Sequence, residues 1–282
     1  MKMMKQYRRA FTIAAAMLFS PVVFAQDMGP FEFTDDRTSL LGLGVVSNPD
    51  YYGASSNRGG VVPLARYTFA GGNRHVQLLG PELTLNLLDL KEWRAGPILR
   101  VRGRRDDGVN DKVVKRMRPI ASATELGVFA AYHLYLDNAP LHKVVFSGDV
   151  VGNTTDVYTG ATGNLRVTYF HPFSRWINRP SVGSIGLGLF FAGEGFNRTY
   201  FGVTGSDVAL YPSRNGVEFL PKSGLTSVKI PFSVTTQLQQ KWLLTVGGRY
   251  ERLLGDAKDS PVVEDRGDPN QWALGFAFSY LF

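Results

Sequence analysis

The sequence predicts an all-β chain: a transmembrane antiparallel up-and-down β-barrel of twelve strands, with ten as the alternative count. Three observations carry this. The last twelve residues, QWALGFAFSYLF at 271–282, alternate, with Trp272, Leu274, Phe276, Phe278, Tyr280 and Phe282 on one face and mostly small or polar residues (Gln271, Ala273, Gly275, Ala277 and Ser279) between them. Period two is a strand with one greasy face and one slim face, and about 9–11 tilted residues suffice to cross a bilayer. The same alternation recurs along the chain, which a single closing strand of a soluble sandwich does not require. Finally, the chain opens on an export leader, and no later apolar run is long enough for a membrane helix.

That leader is 1–25. Lys2, Lys5, Arg8 and Arg9 make a positive start, residues 10–24 are an apolar run, and Val23 and Ala25 are the small residues before a cut between Ala25 and Gln26. Its removal leaves 27 of the 31 Lys and Arg against 24 Asp and Glu, a net of +3 in place of +7. The basic balance of the whole chain therefore gives no argument for nucleic acid. There is no cysteine, which suits a chain crossing an oxidising periplasm unfolded. Residues 26–37 (QDMGPFEFTDDR) read as a polar periplasmic leader, and 38–282 as the barrel.

Strands are expected at 39–47 and 61–69, separated by turn chemistry at 48–60. In 74–88, Val76 and Leu78 sit on one parity and Leu83, Leu85 and Leu87 on the other. Gly80-Pro81 lies at the switch, as a bulge or as a hairpin between two short strands. Residues 93–104 put Trp93, Ala95, Leu99 and Val101 on one face and Arg94, Arg100, Arg102 and Arg104 on the other. Arginines facing lipid would cost about 2–4 kcal/mol each near the midplane, so that row must line the lumen. Further strands follow at 121–136, with Glu125 and His133 inward, and at 141–150. At 155–170 Arg166 faces inward, and 181–192 makes the next strand. At 225–238 Lys229 faces inward and Pro231 predicts a local bulge. At 241–254 Arg249 and Glu251 face inward, and 271–282 closes the barrel. Counting back from a periplasmic carboxy-terminus puts the long loops at 105–120, 193–223 and 255–270 outside. With 74–88 as one strand the count is eleven and the 48–60 loop lands on the periplasmic side; splitting at Gly80-Pro81 gives twelve and restores the pattern.

Several stretches resemble the MipA/OmpV family of outer-membrane proteins: GLGVVSNPDYYG at 42–53, NLLD from Asn86, GPILRVR at 96–102, YFGVT at 200–204, and RLLGDAKDSPVVEDRGDPNQWALGFAFSYLF at 252–282. The resemblance covers most of the chain after the leader and departs at Pro231 and between Gly205 and Lys222. It implies an outer-membrane barrel acting as a non-catalytic scaffold in murein metabolism. The implied partners are a lytic transglycosylase and a penicillin-binding protein. Other members of that family point to an adhesin working through the external loops.

The candidate sites follow from this frame. The aromatic end, Phe276, Phe278, Tyr280 and Phe282, looks like the signal read by barrel-assembly machinery. The lumen charges Arg94, Arg100, Arg102, Arg104, Arg166, Lys229 and Arg249 make either an anion-attracting eyelet in a narrow solute or ion pore, or one half of a filled interior paired with Glu125 and Glu251. Pairing is the default, because small barrels are packed inside. The cations of the 106–118 loop could touch lipopolysaccharide phosphates, against a plain solvated loop. Periplasmic contact surface is scarce. It reduces to Phe31 and Phe33 in the leader and Phe173, Trp176 and Ile177 in the turn at 171–180. His133 and Glu125 share a face, but no serine-centred motif accompanies them, so an enzyme is not expected. No spacing of ligands suggests a metal or other cofactor.

Overall fold

The computed structural model describes residues 38–69, 72–173 and 178–282. Twelve strands form one closed antiparallel sheet in sequence order. They are β1 (Leu40–Pro49), β2 (Asn57–Thr68), β3 (His75–Leu79), β4 (Glu82–Asn86), β5 (Trp93–Arg102), β6 (Ala123–Tyr135), β7 (Lys143–Asn153), β8 (Ala161–Phe173), β9 (Ser181–Ala192), β10 (Gly224–Gln239), β11 (Trp242–Leu253) and β12 (Asn270–Leu281). One helix, α1 (Glu194–Phe201), lies between β9 and β10. Closure is by β1 on β12, from Leu40 opposite Leu281 to Ser47 opposite Leu274. No backbone edge is left open along that seam, which is what a strand protein in hydrocarbon requires.

The alternation does the sorting. Along β12, Trp272, Leu274, Phe276, Phe278 and Tyr280 stand exposed, while Gln271, Ala273, Ala277 and Ser279 are buried. Aromatic pairs mark the two rims of the apolar band. Trp93 meets Tyr132 (ring centroids 5.0 Å apart) and Trp242 meets Tyr280 (5.1 Å) near the chain termini, and Tyr250 meets Trp272 (4.9 Å) at the far rim. Eight residues separate Trp242 from Tyr250. That is about 27 Å of strand, or about 20 Å of height at a 40° tilt, close to the roughly 25 Å band of outer-membrane barrels. Val128, 64% exposed, lies mid-strand on this surface. Val128→Arg is expected to cost about 2–4 kcal/mol in equilibrium unfolding from a bilayer, against less than 1 kcal/mol for Val128→Leu.

The parity switch resolves as a hairpin. Leu79 pairs with Glu82, and Gly80, at φ +57, supplies the left-handed residue that a two-residue turn needs before Pro81. The bulge expected at Pro231 is absent. Register shifts fall instead between Leu225 and Ser227 against β9, and between Gln237 and Gln239 against β11. Pro231 stays in register opposite Arg249, and its ring fits because the facing residue is Gly186, where a Cβ would lie 3.1 Å from the proline Cγ.

Strand ends also move. β2 begins at Asn57, inside the expected turn, and β8 begins only at Ala161. Asp156 (φ 57) and Gly160 (φ 86) break extension over 155–160, and that lets Tyr158 turn inward. The turns at the end bearing the termini are short. The three long loops, 103–122, 193–223 and 254–269, all lie at the opposite end, the arrangement outer-membrane barrels adopt with the short turns in the periplasm.

Candidate functional site

The interior divides into three levels. At the outer end, the loops fold into the barrel mouth instead of standing in solvent. Tyr52, Ile120, Tyr158, Phe190, Phe196, Tyr200, Phe201, Leu253 and Val263 form one buried cluster. Tyr51, Val109, Val114, Met117, Val203, Val208, Tyr211 and Val262 form a second. α1 supplies the centre: Phe196 and Tyr200, one turn apart, present one face inward, with ring centroids 4.5 Å apart. Phe196 also meets Tyr158 (5.2 Å), Phe190 (5.5 Å) and Tyr52 (5.8 Å) edge-on.

Hydrogen bonds tie these loops together. Ser260 Oγ donates to the Phe201 carbonyl (2.6 Å) while accepting from Val262 N (3.2 Å), which caps the turn begun by Pro261. Gln271, the first inward residue of β12 beyond Asn270, donates to the Ala54 carbonyl (2.9 Å) and accepts from Gly53 N (3.2 Å). Arg266 pairs with Asp111 at 2.7 Å. Burial lowers the pKa of Arg105, and burial with the nearby Asp111 raises those of the Tyr51 and Tyr211 hydroxyls. The 106–118 loop is therefore only half a solvated loop: Val109, Val114 and Met117 are buried, and Lys112, Lys115, Arg116 and Arg118 are exposed.

Asp111 makes this cap sensitive to acid. Burial pushes its carboxyl up, but hydrogen bonds from Arg266 and from the Val113 and Val114 amides outweigh that and hold it below the ordinary 3.8. A carboxylate with a depressed folded pKa stabilises fully above the ordinary value, and loses that contribution as pH falls through its folded one. Hydrogen exchange in 105–120, corrected for intrinsic rates, is expected to be unchanged between pH 7 and 5 and faster below about pH 4. In Asp111→Asn it is expected to be fast throughout, with the pH step gone.

Beneath the cap lies a lattice of buried charge. Arg100, 1% exposed, reaches Glu82 at 2.8 Å, Asp149 at 3.1 Å and Glu125 at 4.0 Å. Arg102 pairs with Glu125, which also accepts from the Tyr158 hydroxyl, and Arg102 bonds the Tyr52 hydroxyl. Across the lumen, Glu251 meets Arg249 (3.3 Å), Lys229 (3.7 Å) and the Ser227 hydroxyl (2.5 Å). The aromatic cap rests on this lattice. The Arg102 guanidinium lies 4.9 Å from the Phe196 ring centre, and Lys229 Nζ lies 4.4 Å from that of Phe190. Glu82 and Asp149, which the sequence reading passed over, are the two nearest of the three carboxylates around Arg100. Their inward parity and the Gly80-Pro81 hairpin were the signals available.

Arg104 does not belong to this row. β5 ends at Arg102, and Arg104 sits beyond it with a 57% exposed side chain, paired to Asp106 at 2.7 Å. Strand parity has no meaning past the last ladder pair, so the expected inward direction is lost. The conceivable His133–Glu125 constellation also separates. The two are eight residues apart on β6, about 27 Å of strand, and His133 Nδ1 lies 3.5 Å from Lys143 Nζ. His142 and His171 stand on the outer surface around the Tyr169 hydroxyl (3.1 and 3.0 Å). Among the described residues no group of three or more His, Cys, Asp or Glu is placed to hold a metal.

The third level, toward the termini, is a cavity of about 190 Å³ reaching Arg66, Arg94, Lys143 and Arg166. Arg94 is anchored by the Leu90 and Trp93 carbonyls (2.5 and 2.8 Å), and Arg66 by Gln77 (3.1 Å from Nε). Phe173 ends β8 opposite Ser181. Phe31, Phe33, Trp176 and Ile177 lie outside the described residues, as do Ala25 and Gln26.

A closed twelve-stranded barrel with an apolar outer band, two aromatic girdles and a charged interior defines an outer-membrane β-barrel protein. The chain belongs to the family of the MltA-interacting protein MipA, whose model matches residues 41–282. It is 26% identical over 141 residues to the outer membrane protein Omp26La of Vibrio anguillarum, across 49% of this chain and 47% of that protein. The chain thus spans about half the length of that curated relative. Among solved structures it is similar to the β domain of the Bordetella autotransporter BrkA, at 11% identity and a TM-score of 0.44, covering 88% of this chain and all of that one. It is also similar to an outer-membrane channel from Pseudomonas putida F1, at 12% identity and the same TM-score, covering 91% of this chain and all of that one.

Proposed function

We infer that this barrel is a non-catalytic scaffold that holds murein-remodelling enzymes at the outer membrane. The observation that carries the reading is the filled interior. An aromatic cap seated on paired Arg and Glu counts against a narrow solute or ion pore, which leaves the surfaces to do the work. The family description, MltA-interacting protein, supports a murein lytic transglycosylase as one partner, and a penicillin-binding protein is the second. Both act in the periplasm, so contact falls to the face with the short turns. Its apolar anchors are Phe31 and Phe33 in the leader, Phe173 at the end of β8, and Trp176 and Ile177 in the turn after it. On the same reading, Phe282 ends the segment that barrel-assembly machinery recognises, and lipopolysaccharide surrounds the exposed loop cations.

The test is a detergent pull-down from native envelope with this barrel as bait, read by mass spectrometry. Salt-stable recovery of a transglycosylase with a penicillin-binding protein is expected. Deleting 26–37 together with Trp176→Ala is expected to abolish that recovery while the barrel still runs as a folded species on an unheated gel. Undiminished capture by the double variant would contradict the assigned contact face.

A further inference from the structure

We propose that His142, His171 and Tyr169, on the outer wall at the periplasmic rim, bind one divalent ion of the zinc, nickel or copper class. The histidines meet across neighbouring strands. Lys143 pairs with Phe170 at the start of β7, so the next rung sets His142 opposite His171. Their ring centroids are 5.3 Å apart. His142 Nε2 and His171 Nδ1 both face the Tyr169 hydroxyl, at 3.1 and 3.0 Å. Donors held about 2.1 Å from one metal ion stand roughly 3.0–3.4 Å from each other, for angles from octahedral to tetrahedral. Both imidazole–hydroxyl spacings fall in that range.

A plain hydrogen-bonded trio has such spacings too; a ligand set is marked by the group behind it. Asp137 Oδ2 lies 2.6 Å from His142 Nδ1, on the far side of the ring. Hydrogen bonds from His142 and then from the Ala139 amide (2.7 Å) hold the Asp137 carboxyl below its ordinary value, so it is ionised at neutral pH. An ionised carboxylate only accepts, so His142 Nδ1 carries the proton and Nε2 presents its lone pair. That is the carboxylate–histidine arrangement which orients metal-bound imidazoles and raises their basicity. Asp137 acts through His142 and is not itself a ligand, consistent with the lack of any three His, Cys, Asp or Glu placed around one point among the described residues.

Location and donor type limit the occupant. Tyr132, Phe146 and Val167 share a rung at the level of the Trp93–Tyr132 girdle. His171 lies four residues further along β8, about 13 Å of strand toward the periplasm. The site is therefore beyond the apolar band, and water fills the coordination positions that the protein leaves open. Imidazole suits zinc, nickel and copper, whereas magnesium and calcium call for oxygen ligands. The inference is independent of the scaffold reading.

The test is calorimetric titration of the untagged full barrel, refolded in detergent free of lipopolysaccharide, with Zn²⁺ and separately with Mg²⁺. Saturable one-to-one binding of Zn²⁺, and none of Mg²⁺, is expected. His142→Asn and His171→Asn are each expected to weaken Zn²⁺ at least tenfold, and Asp137→Ala about tenfold through the lost orientation of His142. Tyr169→Phe is expected to lose less than either histidine change, because water can take the position of the hydroxyl. None of these side chains belongs to the interior, so gel mobility is expected to stay that of the folded parent. Absence of Zn²⁺ binding to the parent would overturn the proposal, as would an affinity that neither histidine substitution lowers.

Discussion

Glu125→Ala is expected to be the most damaging single change inside this barrel. Glu125 is 0% exposed and answers two arginines, each 1% exposed, while accepting from Tyr158. Its removal takes the carboxylate from the buried Arg102 guanidinium, a loss of about 3–5 kcal/mol, while Arg100 keeps Glu82 and Asp149. The cost of the missing partner dominates here, more than the net worth of the pair, since burying both charges was itself expensive. Glu125→Gln keeps the shape and one acceptor, so it is expected to lose less. Guanidinium unfolding from detergent measures the difference as a lowered midpoint with an unchanged slope. The Tyr158 loop should also become open to protease, because its inward anchor is the same carboxylate.

Phe196→Ala ranks second and acts differently. Phe196 is fully buried among Tyr52, Tyr158, Phe190 and Tyr200, and it covers the Arg102 guanidinium. Truncation leaves a ring-sized void for which the surrounding loops have no filler, at about 3–5 kcal/mol. The ladder of the barrel does not depend on this residue. The loss should therefore appear as local opening: protease cleavage within 193–223 while the barrel keeps its folded mobility on an unheated gel. Phe196→Leu, which retains most of the volume, is expected to behave nearly as the parent.

The strands were legible because each meets two different surroundings. Lipid outside and a crowded, mostly polar lumen inside force the period of two that β5 and β12 display, with Ile98 and Leu281 as the large apolar residues on the inward parity. The hairpin at Gly80-Pro81 was legible because a one-residue slip flips every side chain, and the leucines recorded the slip. Pro231 misled because its missing N–H suggests a bulge. The chain instead omits bridges to β9 beside it and keeps register with β11, with Gly186 making room for the ring.

The cap was not legible as a unit. Its members Tyr52, Tyr158 and Phe196 come from three separate loops and Leu253 from the end of β11, spread over about 200 residues, and nothing local tells a loop aromatic that it has partners. One signal was present: EGFNRTYF places Phe196 and Tyr200 at helical spacing in a stretch read only as loop. The charge lattice was half legible. Parity named the arginines on β5 but not their full set of acids, and it overran the strand end to include Arg104.

The most direct test of the capped interior is single-channel recording of the purified full barrel in planar bilayers. The parent is expected to give no stepwise conductance, and Phe196→Ala and Glu125→Ala are expected to introduce steps as the cap loosens. Regular, anion-preferring steps from the parent itself would contradict the closed lumen and return the arginines to the role of a pore eyelet.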